Sequence, residues 1–207
     1  MAFWTKKQGH VIAPVLLFLF SHALCEHPDS TRKVLESNNH YFISAARDFD
    51  IDANILLSIV YVERTLNVDW KDDALDTPLA SAGYNSSIGL CQVKLKTAYF
   101  IEKSLMDSGS TFFLGKKYKD LLNVSSSPKE LIQKLNSDSL NIRYAAAYLR
   151  IIIALWRKAG YDISYRPDIL GTLYSTGLFT STGDLREPRA RPKANRFGQL
   201  TLEHFQK

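Results

Sequence analysis

Cysteine is nearly missing from this chain of 207 residues, where only Cys25 and Cys91 occur. So few cysteines cannot build a disulfide framework, and stability has to come from a packed core, which a chain of this length can supply as one domain. Cys91 is expected to be buried as a small apolar side chain. The five histidines, His10, His22, His27, His40 and His204, show no pairing at metal-ligand spacing, so neither a metal site nor a cofactor is expected. No segment alternates apolar and polar residues convincingly enough for a strand, and no internal repeat is present. The longest apolar run, Val11 to Phe20, is ten residues long and contains Pro14, too short to cross a bilayer comfortably. An excess of one charge sign is also lacking over most of the chain. The net charge of +5 shrinks once Lys6 and Lys7 are set aside, and the rest concentrates in Arg186, Arg189, Arg191, Lys193, Arg196 and Lys207. No aromatic-interleaved basic stripe accompanies them, which argues against nucleic-acid binding.

What is present reads as a leader followed by a helical domain. Lys6 and Lys7, the run Val11–Phe20 and the small residues Ser21 and Ala23 form a signal-peptide pattern over residues 1–25. Export is expected, without stable membrane insertion after cleavage. His22 and Leu24 do not suit a lipid-attachment box around Cys25. Residues 26–37 read as a linker, 38–200 as the domain and 201–207 as a tail. The apolar and charged fractions, 45% and 23%, are those of a folded protein and exclude wholesale disorder.

Helical spacing recurs throughout. Phe42, Ala45, Ala46 and Phe49 form one stripe, and Leu56, Ile59 and Val60 form the next, opened by Asp52 as N-cap. Asn67 to Asn85, with four aspartates, Pro78 and Gly83, is a loop. Ser86 to Val93 is a tight small-residue passage before a helix to about Met106, and Asp107–Ser126 shows no clear pattern. Ser127-Pro128-Lys129-Glu130 is a capping box that starts a helix to about Leu135. Asn141–Lys158 carries a stripe of Ala145, Tyr148, Leu149, Ile152, Leu155 and Trp156, closed by Gly160. Pro167 opens a last helix that ends at Gly177, and the Pro- and Arg-rich remainder reads as extended. The fold class expected is all-α, with six or seven short helices.

One position breaks the apolar pattern. Counting along the stripe of Leu56, Ile59 and Val60, the next place is Glu63. A carboxyl withdrawn from water has a raised pKa, and a carboxyl protonated near neutrality can act as a general acid. The alternative is a glutamate at the edge of the stripe that reaches solvent or pairs with Arg64 or a distant lysine.

Together with Glu63, the groups Gly89-Leu90-Cys91-Gln92, Asn141-Ile142 with Tyr148-Leu149, Leu173-Tyr174-Ser175 and Asn195-x-Phe197-Gly198 occur in an order that resembles the soluble, goose-lysozyme-like lytic transglycosylases. The resemblance covers roughly residues 38–200. It implies a lysozyme-like domain of short helices around a glycan cleft, in the periplasm or cell envelope, with peptidoglycan strands and cell-envelope machinery as partners. The activity implied is cleavage of the MurNAc-GlcNAc β-1,4 bond with a 1,6-anhydro product, Glu63 serving first as acid and then as base. Ser87, Gly89, Gln92, Tyr174 and Ser175 would bind substrate, while Asn141 and Tyr148 would be scaffold before cleft. The chain departs from the family's pattern at Arg64, Cys91 and Ser175, of which Arg64 and Ser175 are expected to touch the site. Two alternatives stay open: a lysozyme-type hydrolase in which an aspartate of the 67–85 loop places a water, and a catalytically silent glycan-binding or scaffold protein.

Overall fold

The computed structural model describes residues 27–66 and 85–207. The leader at 1–25 and nearly all of the aspartate-bearing loop lie outside the described residues. Within them the protein is mostly helical, with eight α-helices and one very short two-stranded ribbon. The helices are α1 (Pro28–Ser37), α2 (Asn39–Asp48), α3 (Ala53–Leu66), α4 (Leu95–Met106), α5 (Pro128–Leu135), α6 (Asp138–Lys158), α7 (Pro167–Thr176) and α8 (Arg196–Phe205). The antiparallel ribbon pairs β1 (Ser87–Ile88) with β2 (Val93–Lys94), Ser87 opposite Lys94 and Ile88 opposite Val93. Two residues per strand are too few to leave a period-two signature, which is why the ribbon was not foreseen. No helix among the described residues is long and apolar enough to cross a membrane.

The core is organised around α6. Its expected single stripe is in fact a helix buried on nearly every side, with Tyr144 to Leu149 and Ile151 to Ile153 all buried. A helix apolar all round has to be enclosed by neighbours. Here α2, α4, α5 and α7 surround it. Arg143 ties it to α2 through Asp48 at 2.6 Å. On α4 the fully buried carboxylate of Glu102 accepts hydrogen bonds from the Ser125 backbone N–H at 2.8 Å, the Ser125 hydroxyl at 2.7 Å and the Tyr144 hydroxyl, with Lys134 Nζ at 3.6 Å. A buried charge needs such a shell, and this one anchors the end of the segment between α4 and α5 at Ser125. The segment's 3-10 turn at Lys116–Tyr118 is held by Asp50, which accepts from Lys117 Nζ at 2.5 Å and the Tyr118 hydroxyl at 2.6 Å. The capping box of α5 forms with a shift. Ser127 Oγ accepts from Glu130 N at 3.2 Å, but the Glu130 carboxylate reaches back to Ser126, not to Ser127.

Both chain ends of the domain differ from expectation. The presumed linker is α1, entered through Pro28 and capped by the His27 side chain. Its Thr31 and Leu35 are buried, so its inward face belongs to the core. The presumed tail is α8, capped by the Asn195 side chain on Gly198 N at 2.9 Å. It packs on α7 and on α3. Glycine makes the first contact possible: a Cβ at Gly198 would sit 1.9 Å from the Asp168 carbonyl, and one at Gly171 would sit 2.5 Å from Thr201 Oγ1. The second contact sets His204 Nδ1 3.0 Å from Ser58 Oγ and stacks its ring on Tyr61 at 3.9 Å. Asparagine, arginine and lysine before α8 hid its start, and Phe197, Leu200, Leu202 and Phe205 are its apolar residues.

Candidate active site

Helix α3 starts as foreseen, with Asp52 Oδ1 accepting from the N–H groups of Asn54 at 2.7 Å and Ile55 at 3.1 Å. Leu56, Ile59 and Val60 are fully buried, and one turn further on Glu63 emerges at the wall of a cleft of about 620 Å³. That volume lies within the ordinary range of small-ligand sites. Glu63 is itself partly buried and makes no hydrogen bond or ion pair among the described residues. Burial raises its pKa from 4.5 to about 7, against a smaller downward pull from the Lys94 ammonium. Of the alternatives, a pair with Arg64 does not form. Arg64 is buried on another side of the helix, its Nη1 3.5 Å from the Leu90 carbonyl, and it does not line the cleft. Its expected contact with the site is therefore corrected: it braces the following turn from behind.

That turn forms the facing wall. Gln92 sits at φ +52°, an uncommon conformation for a residue with a side chain. Its backbone N–H and its Nε2 both donate to the Gly89 carbonyl, at 3.0 and 3.1 Å. The buried Asn141 of α6 holds the turn from below. Its Oδ1 accepts from Cys91 N at 2.7 Å, and its Nδ2 donates to the carbonyls of Ile88 and Leu135, both at 2.9 Å. Gly89 packs against this asparagine. A Cβ there would lie 2.3 Å from the Leu135 carbonyl and 2.6 Å from Asn141 Nδ2, at a φ of +72°. Gly89 thus points away from the cleft, and its expected substrate-binding role is replaced by one in packing. Asn141 is scaffold, as expected.

Helix α7 supplies the remaining side. Tyr174 lines the cleft, and its hydroxyl donates to the Cys91 carbonyl at 2.7 Å, tying α7 to the turn. Burial, together with the neighbouring Cys91 and Glu63, drives its pKa well above the phenolic range, so it stays protonated. Burial likewise pushes the Cys91 thiol upward, and it is inert. Ser175 faces the cleft and accepts from Asn195 Nδ2 at 3.2 Å, which joins the cap of α8 to the site. Tyr148 of α6 also lines it, packed edge-on to Tyr174 with ring centroids 6.0 Å apart and accepting from Leu178 N at 2.9 Å. Desolvation pushes the Tyr148 pKa up to about 12.

Of the residues singled out in the sequence, Glu63, Ser87, Gln92, Tyr174 and Ser175 therefore meet at one cleft, and Gly89 stands behind it. Lys94 and Thr97 line it without having been foreseen. Compared with protein-family models and with curated proteins, the sequence finds no match.

Proposed function

We propose that this chain is an exported peptidoglycan lytic transglycosylase with a lysozyme-like fold. The observation that carries the reading is the Glu63 carboxyl: partly buried, at a pKa of about 7, and opening into a cleft shared with Gln92 and Tyr174. Cleaving a glycosidic bond requires a proton on a poor leaving oxygen while positive charge develops at the anomeric carbon. Protonated Glu63 donates that proton as the C1–O bond breaks. The carboxylate so formed then takes the proton of the muramic C6 hydroxyl as its oxygen bonds to C1. Glu63 ends as it began, no water is consumed, and the product carries a 1,6-anhydro ring. The Gln92 amide and the Ser175 hydroxyl provide donors and acceptors for sugar hydroxyl and acetamido groups. The Tyr174 hydroxyl, spent on the Cys91 carbonyl, holds the turn in place.

The leader pattern at 1–25 supports delivery to the periplasm or cell envelope, where the polymer lies. Digestion of purified sacculi followed by mass analysis of the fragments tests the proposal, and 1,6-anhydro ends are expected. Reducing ends would instead indicate a hydrolase. A Glu63→Gln protein as lytic as the parent would leave only a glycan-binding role.

A further inference from the structure

Among the described residues that line the cleft, two carry charge, Glu63 and Lys94. Lys94 ends β2 directly before α4, exposed, with Thr97 one turn further along the same wall. Its ammonium makes no ion pair or hydrogen bond within the described residues, whereas two nearby arginines are engaged. Arg186 is committed to the carbonyls of Gly177 at 3.0 Å and Thr176 at 3.4 Å, and Arg64 to that of Leu90. The backbone at Lys94 is fixed on both sides, by its strand partner Ser87 and by the bond from Leu95 N to the Ser86 carbonyl at 3.2 Å. While Glu63 is protonated, the described lining of the cleft carries one uncompensated positive charge.

We propose that Lys94 is a specificity-determining residue that binds a carboxylate carried by the glycan, so that the cleft selects acid-bearing strands over neutral ones of the same β-1,4 backbone. This deepens the glycan-cleaving reading and rests on it for the identity of the polymer. Two sources offer that carboxylate in a peptidoglycan strand: the lactyl group of a muramic residue without its peptide, and the stem peptide where it is attached. A charge-assisted bond at a partly exposed position corresponds to about a tenfold preference.

The test is calorimetric, on the Glu63→Gln protein so that the ligands are not consumed. Three hexasaccharides serve as probes: neutral N-acetylglucosamine oligomer, alternating glycan with free lactyl groups, and the same glycan bearing stem peptides. With Lys94 present, one or both acid-bearing probes should bind about tenfold more tightly than the neutral one. Whichever shows the gain identifies the source of the carboxylate. Lys94→Met should bring the ratio close to one, and Lys94→Arg should retain it. A ratio unmoved by Lys94→Met, or absent from the outset, overturns the proposal. The glycan-cleaving reading fails separately. If Glu63-intact protein leaves sacculi uncut while the ratio still depends on Lys94, the binding role stands and the catalytic one falls. If sacculi are cut while the ratio is independent of Lys94, the catalytic role stands and the binding one falls.

Discussion

Replacing Glu63 by glutamine probes the burial of the acid with no substrate involved. In the folded chain burial holds its pKa at about 7, whereas an exposed carboxyl has 4.5. The folded state therefore keeps the proton more tightly than the unfolded one, and unfolding releases it between those two pH values. Stability must then fall as pH rises from about 4.5 through about 7 and level off beyond. Below that window both states are protonated and the group contributes nothing. Each tenfold change in proton affinity is worth about 1.4 kcal/mol, so ionised Glu63 destabilises the fold by at most about 3 kcal/mol above neutrality. Glutamine has the same shape and no charge. Urea unfolding should find parent and Glu63→Gln equally stable near pH 4 and the variant ahead by about 2–3 kcal/mol near pH 8.5. Taking the difference between the two proteins removes the titration of Asp50, Asp168 and His204, which both share. Parallel stability curves would mean that Glu63 titrates as an exposed carboxylate, and the argument for an acid catalyst would go with it. The same change should lower the lytic rate by about 10²–10⁴. A gain in stability with a loss of activity is what a strained functional group produces.

Three further outcomes are expected. The lytic rate of the parent should decline as pH rises through about 7, because only protonated Glu63 can act as acid; a rate still climbing at pH 9 would contradict it. Asn141→Ala removes three buried hydrogen bonds and orphans the Cys91 N–H with the Ile88 and Leu135 carbonyls. Its cost should be on the order of 4 kcal/mol in urea unfolding, and values under about 1 kcal/mol would show that the turn is held by something else. Tyr174→Phe loses one neutral bond to the Cys91 carbonyl. It should destabilise by about 1–2 kcal/mol and slow lysis far less than Glu63→Gln does, whereas an equal loss of rate would assign the hydroxyl to the reaction itself.

Helix α3 was legible in the sequence because two independent rules agree on it: Asp52 caps it, and Leu56, Ile59 and Val60 fall on one face. The same holds for α7, bounded by Pro167 and Gly177. Helices α1 and α8 were hidden for a common reason. Each buries only a few residues, Thr31 and Leu35 in one, Gly198 and Thr201 in the other, and two of those four are threonines and one a glycine. Hydrophobic periodicity cannot register a contact made by small or polar side chains, and α8 relies on just that kind of contact with Gly171. The burial of α6 was underestimated because a stripe on one face satisfies the pattern whether or not the other faces are also covered.

At the site the residues that break local rules were the informative ones. Glu63 is a carboxyl on an apolar stripe, Gln92 adopts a backbone conformation that favours glycine, and Asn141 is a polar side chain with no exposure at all. Each is unfavourable on its own, and their meeting in one small region calls for a compensating gain. The hydrogen bonds show how the exceptions support one another. Asn141 holds the turn, the turn presents Gln92 across from Glu63, and Tyr174 locks the turn to α7. Lys94 escaped notice because it violates nothing. A lysine at the end of a short strand is ordinary, and only the geometry of the cleft reveals that it shares the lining with Glu63 and makes no ion pair among the described residues.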